Sequence, residues 1–176
     1  MAEEHDQRSG PQPVSRSRSE LIRWMSIQDA NSGGFVHGGV VMRMCDEVAG
    51  IAAIRHSGCR VVTAGMDRMT FLHPVYVGEL LRCTASVNAA WRTSMEVGVR
   101  VEAENAVTGE IHATGTAYLT MVAVNEKGEP VPVPDLVVEG PTEERRQREA
   151  ETRRRNRLAE RDEILEARRA QGQPSG

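Results

Sequence analysis

From residue 21 onward, apolar and polar positions fall into blocks whose period changes along the chain. Leu21–Ile27 predicts a first strand. Gln28–His37 (QDANSGGFVH) is rich in Asn, Asp, Ser and Gly and reads as a loop. Gly38–His56 (GGVVMRMCDEVAGIAAIRH) has no proline and no strand-like alternation. Ser57 and Gly58 follow as a stop, so the segment predicts a helix. On a wheel of about 100° per residue its apolar side chains, from Val40 to Ile54, cover well over half the circumference, which predicts a mostly buried helix. After Gly58 the blocks Val61–Phe71, Gly78–Ala90, Ser94–Glu104 and Glu110–Val124 are rich in Val, Thr and Met. In Met95–Glu102 every second residue is apolar or small, the mark of a half-buried antiparallel strand. His73-Pro74 interrupts the first two of these strands, and Asn105–Gly109 reads as a hairpin turn. A strand, a helix and four further strands with short connections predict an α+β domain, one helix packed on an antiparallel sheet.

The flanks differ from this body, which spans residues 19–125. Residues 1–18 are polar, with two prolines and repeated Ser-Arg, and predict a disordered arm because little apolar area offsets the ordering entropy. Residues 126–141 read as a Pro/Val-rich linker, and residues 142–176 as a charged helical tail. In the tail Thr142 is the expected N-cap, Glu143 and Glu144 occupy the first turn, and Arg168 and Arg169 the last. Gly172 and Pro174 close it. Glu144/Arg148, Glu149/Arg153 and Glu151/Arg155 are spaced for ion pairs four apart, each worth roughly 0.2–0.5 kcal/mol. Leu158, Ile164 and Leu165 suggest one weak heptad contact rather than a coiled coil.

A chain of 176 residues accommodates one ordinary domain plus tails. No apolar run is long enough for a transmembrane helix, and Met1–Glu20 lacks the apolar core of a secretion signal. Three cysteines, Cys45, Cys59 and Cys83, without metal-ligand spacing fit a reduced, cytoplasmic protein and suggest no metal. Only two each of Trp, Tyr and Phe leave no stacking platform for single-stranded nucleic acid. Net charge is −3, yet all basic residues but Lys127 are arginines, and the ten arginines after Pro141 nearly balance eight acids. A nucleic-acid partner is therefore disfavoured.

Two features of the predicted helix carry candidate chemistry. Asp46 falls in its narrow polar sector, with Gly50 and Ala53 beside it one turn on. A carboxylate withdrawn from water needs either a partner or a task. It pairs with Arg43 or another arginine, with Glu47 beside Arg55 or solvent, or it serves a ligand for which the small neighbours leave room. Gly38 and Gly39 open the helix after a Gly/Ser loop. Their N–H groups lie at the positive end of the dipole, where a carbonyl oxygen gaining charge would be stabilised; equally, the glycines permit tight packing of the helix start.

The segment from Asn31 to Ile51 (NSGGFVHGGVVMRMCDEVAGI) resembles hotdog-fold acyl-CoA thioesterases of the cytosolic acyl-CoA hydrolase type. The likeness continues through Arg55-His56, Val62–Ala64, Phe71–Val75, Val77–Glu79 and Arg92–Glu96, and covers roughly residues 19–124. It implies a hotdog domain, a long helix wrapped by an antiparallel sheet. It also implies double-hotdog dimers, commonly arranged as a trimer of dimers, with sites between subunits. By the same resemblance Asn31 of one chain faces Asp46 of the other, and the Gly38/Gly39 backbone meets the thioester carbonyl. The implied reaction is hydrolysis of acyl-CoA to fatty acid and CoA, with Asp46 as general base or nucleophile and no cofactor beyond the CoA of the substrate. His37, Thr63, Arg92, Thr93 and Ser94 are candidates for substrate binding, with Arg60 and Arg68 as further nucleotide contacts. A lone histidine before a helix reads first as a structural hydrogen-bonding group, and a strand threonine as core. Met42, Met44, Met66 and Met69 read first as core. The alternative from another class is a non-enzymatic acyl-CoA-binding regulator built on the same fold.

Overall fold

The computed structural model describes residues 10–67 and 69–170. The first elements are a short strand β1 (Gln12–Pro13), a single helical turn α1 (Val14–Ser17) and strand β2 (Ser19–Trp24). A 3-10 turn at Ile27–Asp29 leads into the loop before the long helix α2 (Gly38–Ser57). There follow β3 (Arg60–Met66), β4 (Thr70–Phe71), β5 (Leu80–Ala90), β6 (Ser94–Glu104), β7 (Ile111–Val124), β8 (Leu136–Val137) and helix α3 (Pro141–Ala170). The main sheet runs β2-β5-β6-β7-β3, with β4 also on β7, and every pairing in it is antiparallel. β1 and β8 form a separate parallel pair.

One face of the sheet closes over α2. Val41, Met44, Cys45, Val48, Ala49 and Ala52 of the helix share a core with Cys83, Val87, Met95, Val97, Leu119 and Met121. The alanines let the helix axis lie close to the strands, while the strand residues alternate in and out with period two. Gly58 ends α2 in the left-handed conformation (φ 69°), which only glycine adopts without cost. This is the hotdog arrangement the resemblance implies. The middle strands β5, β6 and β7 begin and end within two residues of expectation. Val61–Phe71 differs, because β3 ends at Met66 and β4 begins at Thr70. The first strand differs too, ending at Trp24 so that Ser26 and Asp29 can form a capping box around the 3-10 turn.

The flanks depart further from the sequence reading. Residues 10–18, expected to be disordered, are ordered; the rest of that arm lies outside the described residues. Val14 and Ser17 are buried, and Ser17 Oγ accepts a hydrogen bond from the Val87 amide at 2.9 Å. The expected linker is likewise packed down: Val131, Val133 and Leu136 rest against the core, and the Val131 amide donates to Ala123. Helix α3 starts at Pro141, so Thr142 lies inside the helix rather than at its N-cap; a proline suits the first turn because its missing N–H would have no helical partner there. The closing Gly172 and Pro174 lie outside the described residues.

His56, in the last turn of α2, ties this exit segment to the core. His56 is 1% exposed, Nε2 lies 2.9 Å from the Pro134 carbonyl, and buried Nδ1 has no partner among the described residues. Burial pushes its pKa below the ordinary value, with Arg16 adding to the effect and the Pro134 carbonyl opposing it. The folded protein thus resists a proton that the unfolded chain accepts. His56's contribution is fully present above the usual imidazole value of about 6.5 and is lost as pH falls from there toward the lower folded value. Thermal melting followed from about pH 7.5 down to about 5 should show Tm falling on the acid side. His56→Gln should flatten that limb; a limb of unchanged slope in the variant would assign it to other groups.

Candidate active site

Asp46 sits in the third turn of α2 and points out of the protomer rather than into its core. The expected mostly buried helix is therefore corrected: Met42, Arg43, Asp46, Glu47, Ile54 and Arg55 are exposed, and Gly50 is half-buried with Met121 as its nearest side chain. The arginines of the helix do not neutralise Asp46. Arg43 pairs with Glu47 at 2.8 Å, and Arg55 donates to the Arg18 carbonyl at 2.6 Å. Asp46 Oδ1 instead accepts a hydrogen bond from Thr63 Oγ1 at 2.6 Å. Oδ2 has no protein partner among the described residues. Thr63 reaches Asp46 from β3, an edge strand, and the register slips between Thr63 and Gly65. Such a bulge twists a strand locally and re-aims the side chain beside it.

The loop before α2 is held by Asp29. This buried carboxylate accepts from the Ser26 amide and hydroxyl and forms an ion pair with Arg23, while its backbone carbonyl receives the His37 amide. The Ser26 backbone bond does most to hold its carboxyl below the usual range. On this loop Asn31 turns its amide oxygen inward, where it accepts from the Gly33 amide at 2.8 Å and the Phe35 amide at 3.2 Å. Its Nδ2 therefore points away as an unused donor among the described residues. Asn31 and Asp46 share no hydrogen bond within one protomer among the described residues.

At the helix start His37 is the N-cap, and its Nδ1 accepts from the Gly39 amide at 3.1 Å. Of the two glycines expected to meet a carbonyl, only Gly38 keeps a free N–H among the described residues. No acid occupies the first turn, so the positive end of the dipole is uncompensated. The Phe71 ring lies about 3.5 Å from where a Cβ on Gly38 would stand, and Phe35 packs edge-on against Tyr76 with ring centroids 5.5 Å apart. These aromatic rings beside the helix start were not singled out from sequence; their wide spacing along the chain hides that β4 and the Phe35–Tyr76 bridge gather them.

The remaining candidates are dispersed. Arg92 and Thr93 lie in the β5–β6 turn and Ser94 opens β6, none of them hydrogen-bonded to Asp46 or Thr63 among the described residues; the Thr93 carbonyl accepts from the Ala123 amide, and the Arg92 side chain is exposed with no hydrogen bond or ion pair among the described residues. Arg60 is exposed at the start of β3, and Arg68 lies outside the described residues. Met44 is buried and Met42 exposed; Met66 and Met69 pack on the core's margin. No group of three or more His, Cys, Asp or Glu among the described residues is disposed to hold a metal ion.

Comparison with known proteins agrees with this architecture. The sequence profile of the thioesterase superfamily matches residues 33–110. The cytosolic acyl coenzyme A thioester hydrolase of Rattus norvegicus is 37% identical over 81% of this chain, which spans only 38% of that relative's length. An acyl-CoA thioester hydrolase of Zymomonas mobilis is 34% identical over 71% of this chain and 85% of its own. The solved acyl-CoA hydrolase of Staphylococcus aureus, in complex with butyryl coenzyme A and coenzyme A, is 32% identical with a TM-score of 0.83, covering 92% of this chain and 99% of that one. That enzyme has also been solved with an asparagine, an aspartate and a threonine separately replaced by alanine. A hexameric acyl-CoA thioesterase is 39% identical with a TM-score of 0.83, over 86% of this chain and 97% of the other. Sheet order, central helix and relatives spanning the full fold agree, and the chain belongs to the thioesterase superfamily, among its hotdog-fold acyl-CoA thioester hydrolases.

Proposed function

We propose that the protein hydrolyses the thioester of acyl-CoA to a free fatty acid and CoA at a site built by Asp46 and Thr63 of one subunit and by Asn31 and the Gly38 amide of another. The observation that carries this reading is the Asp46–Thr63 hydrogen bond on an open helix face, with one carboxylate oxygen left free. Asn31, Asp46 and Thr63 also have the spacing along the chain of the three residues varied in the Staphylococcus aureus enzyme. In the reaction, water adds to the thioester carbonyl carbon while Asp46 Oδ2 takes its proton. Thr63 holds Oδ1 and so aims the other oxygen. The developing oxyanion lies at the Gly38 amide, with the helix dipole behind it, a kind of stabilisation worth roughly 3–4 kcal/mol per lost donor. Collapse of the intermediate breaks the C–S bond, and the proton on Asp46 passes to the departing CoA sulfur. The free Nδ2 of Asn31 is a donor suited to the attacking water or the carbonyl. Arg92, exposed and unpaired among the described residues, suits a CoA phosphate.

Met42, Ile54 and Val62 are exposed on α2 and β3, the elements that carry Asp46 and Thr63, and β3 is an edge strand. A second subunit paired there covers the apolar side chains, and the hexameric state of a structural relative supports a trimer of such dimers. The cytosolic naming of the mammalian relatives supports a cytoplasmic location. Release of free thiol from a panel of acyl-CoAs by the purified protein tests the activity; tight acyl-CoA binding without thiol release would instead identify a regulator. Thr63→Val removes the donor to Asp46 at nearly constant volume. A hydrogen bond to a charged group is worth about 1.5–3 kcal/mol, so kcat should fall on the order of 10–100-fold with KM little changed. Thr63→Ser should restore most of the rate; a fully active Thr63→Val would remove the threonine from the site.

A further inference from the structure

Helix α3 crosses the sheet on the face opposite α2 and does not stop at its edge. Glu143 pairs with Arg18 near β2, Arg153 pairs with Glu96 on β6 and stacks on Tyr118 of β7, and Arg157 pairs with Asp67 just beyond β3. Past Arg157 no side-chain hydrogen bond or ion pair joins the helix to the sheet among the described residues. Yet α3 continues to Ala170, an overhang of about 20 Å at 1.5 Å per residue. Between this overhang and the β3 edge opens a groove of about 920 Å³, with Gly65, Met66 and Tyr118 on one wall and Arg161, Ile164 and Leu165 on the other. Ile164 is 45% exposed and Leu158 38%, in a helix otherwise dominated by arginine and glutamate.

We infer that the outer half of α3 is an intersubunit arm that packs, antiparallel, on the outer half of α3 in a second copy of this chain. This rests on the dimer proposed above, in which the β3 edges meet. Continuity with that edge is the first argument: a helix running off one sheet at β3 runs onto the sheet that continues from it. By two-fold symmetry each arm then enters the groove of the other. Charge supplies the second argument. The groove is lined by Arg153, Arg157, Arg161 and Arg168 against Asp67 and Glu160, while the arm beyond Arg157 carries four acids and three arginines. Exposed Glu163 and Glu166 of one arm therefore meet a basic groove in the other copy. Leu158, Ile164 and Leu165 supply an apolar seam between the two arms.

Two full-length variants test the arm by sedimentation across a concentration series, with circular dichroism to check that helix content is retained. Ile164→Asp combined with Leu165→Asp removes the seam; Glu163→Arg combined with Glu166→Arg, at exposed positions, reverses the charge. Each should weaken self-association at least tenfold, and the charge variant should lose its effect at high salt. Self-association as tight as in the unaltered protein, in both variants, would overturn the arm while leaving the proposed site intact. An unaltered protein that is monomeric yet active would overturn the cross-subunit site itself.

Discussion

Asp46→Asn should abolish nearly all turnover while leaving fold and acyl-CoA binding in place. Asparagine is almost the same shape, and its Oδ1 can still accept the Thr63 hydroxyl that reaches Asp46 at 2.6 Å. It offers an amide NH2 where the carboxylate offers a free oxygen, so it takes no proton from water. Loss of a positioned base costs about 10²–10⁴-fold, and thiol release under single-turnover conditions reads that loss directly. The same experiment separates the two roles open to the carboxylate. In single turnover of the unaltered enzyme in H₂¹⁸O, a base leaves the label in the fatty acid alone, whereas a nucleophile leaves it in Asp46 as well. Asn31→Ala should fall in the same direction, and mixing Asn31→Ala with Asp46→Asn subunits should regain part of the activity if one intact site assembles from two damaged chains. A wild-type rate in Asp46→Asn would sink the hydrolase reading of this site.

Glu96→Ala should be the most destabilising single change outside the α2 core. Glu96 is fully buried, and Arg153 grips it through Nε and Nη2, the shortest contact being 2.6 Å. Arg157 adds a longer contact at 3.4 Å, and Asn88 donates from the neighbouring strand. Arg153 also lies 3.6 Å above the Tyr118 ring, and Gly98 leaves the space that Asn88 fills, since a Cβ there would stand 2.5 Å from its amide. Removing one member of a buried pair strands the other, at a cost of about 3–5 kcal/mol. The predicted signature is a drop in Tm together with faster tryptic cleavage within α3, because the helix has lost the anchor that holds it on the sheet. A double Glu96→Leu, Arg153→Leu variant should recover much of the stability, since it leaves no unpaired charge. Equal losses in the single and double variants would mean that packing, not the ion pair, holds α3.

The order of elements, the long helix and the central strands were legible in the chain because they depend on local pattern: period two in Met95–Glu102, the unbroken helix from Gly38, the stop at Gly58. The residue types at Asn31, Asp46 and Thr63 were legible as well. What pattern cannot carry is which polar group meets which across the fold. Glu96 sits on the polar side of an alternating strand and reads as solvent-facing until α3, some sixty residues later, brings Arg153 over it. For that reason Glu149 and Glu151 bond to Arg145 and Trp91 instead of the arginines four residues on. The N-terminal arm read as disordered because its few apolar atoms count for little alone; they become enough when Val14 and Ser17 find the edge of a finished core. The helix wheel left Asp46 only a narrow polar sector, whereas in the packed fold Met42 and Ile54 of α2 are exposed as well. Sequence by itself determined the periodicities and the chemistry available; tertiary structure decided the partners, since burial and pairing are properties of surfaces brought together from distant parts of the chain.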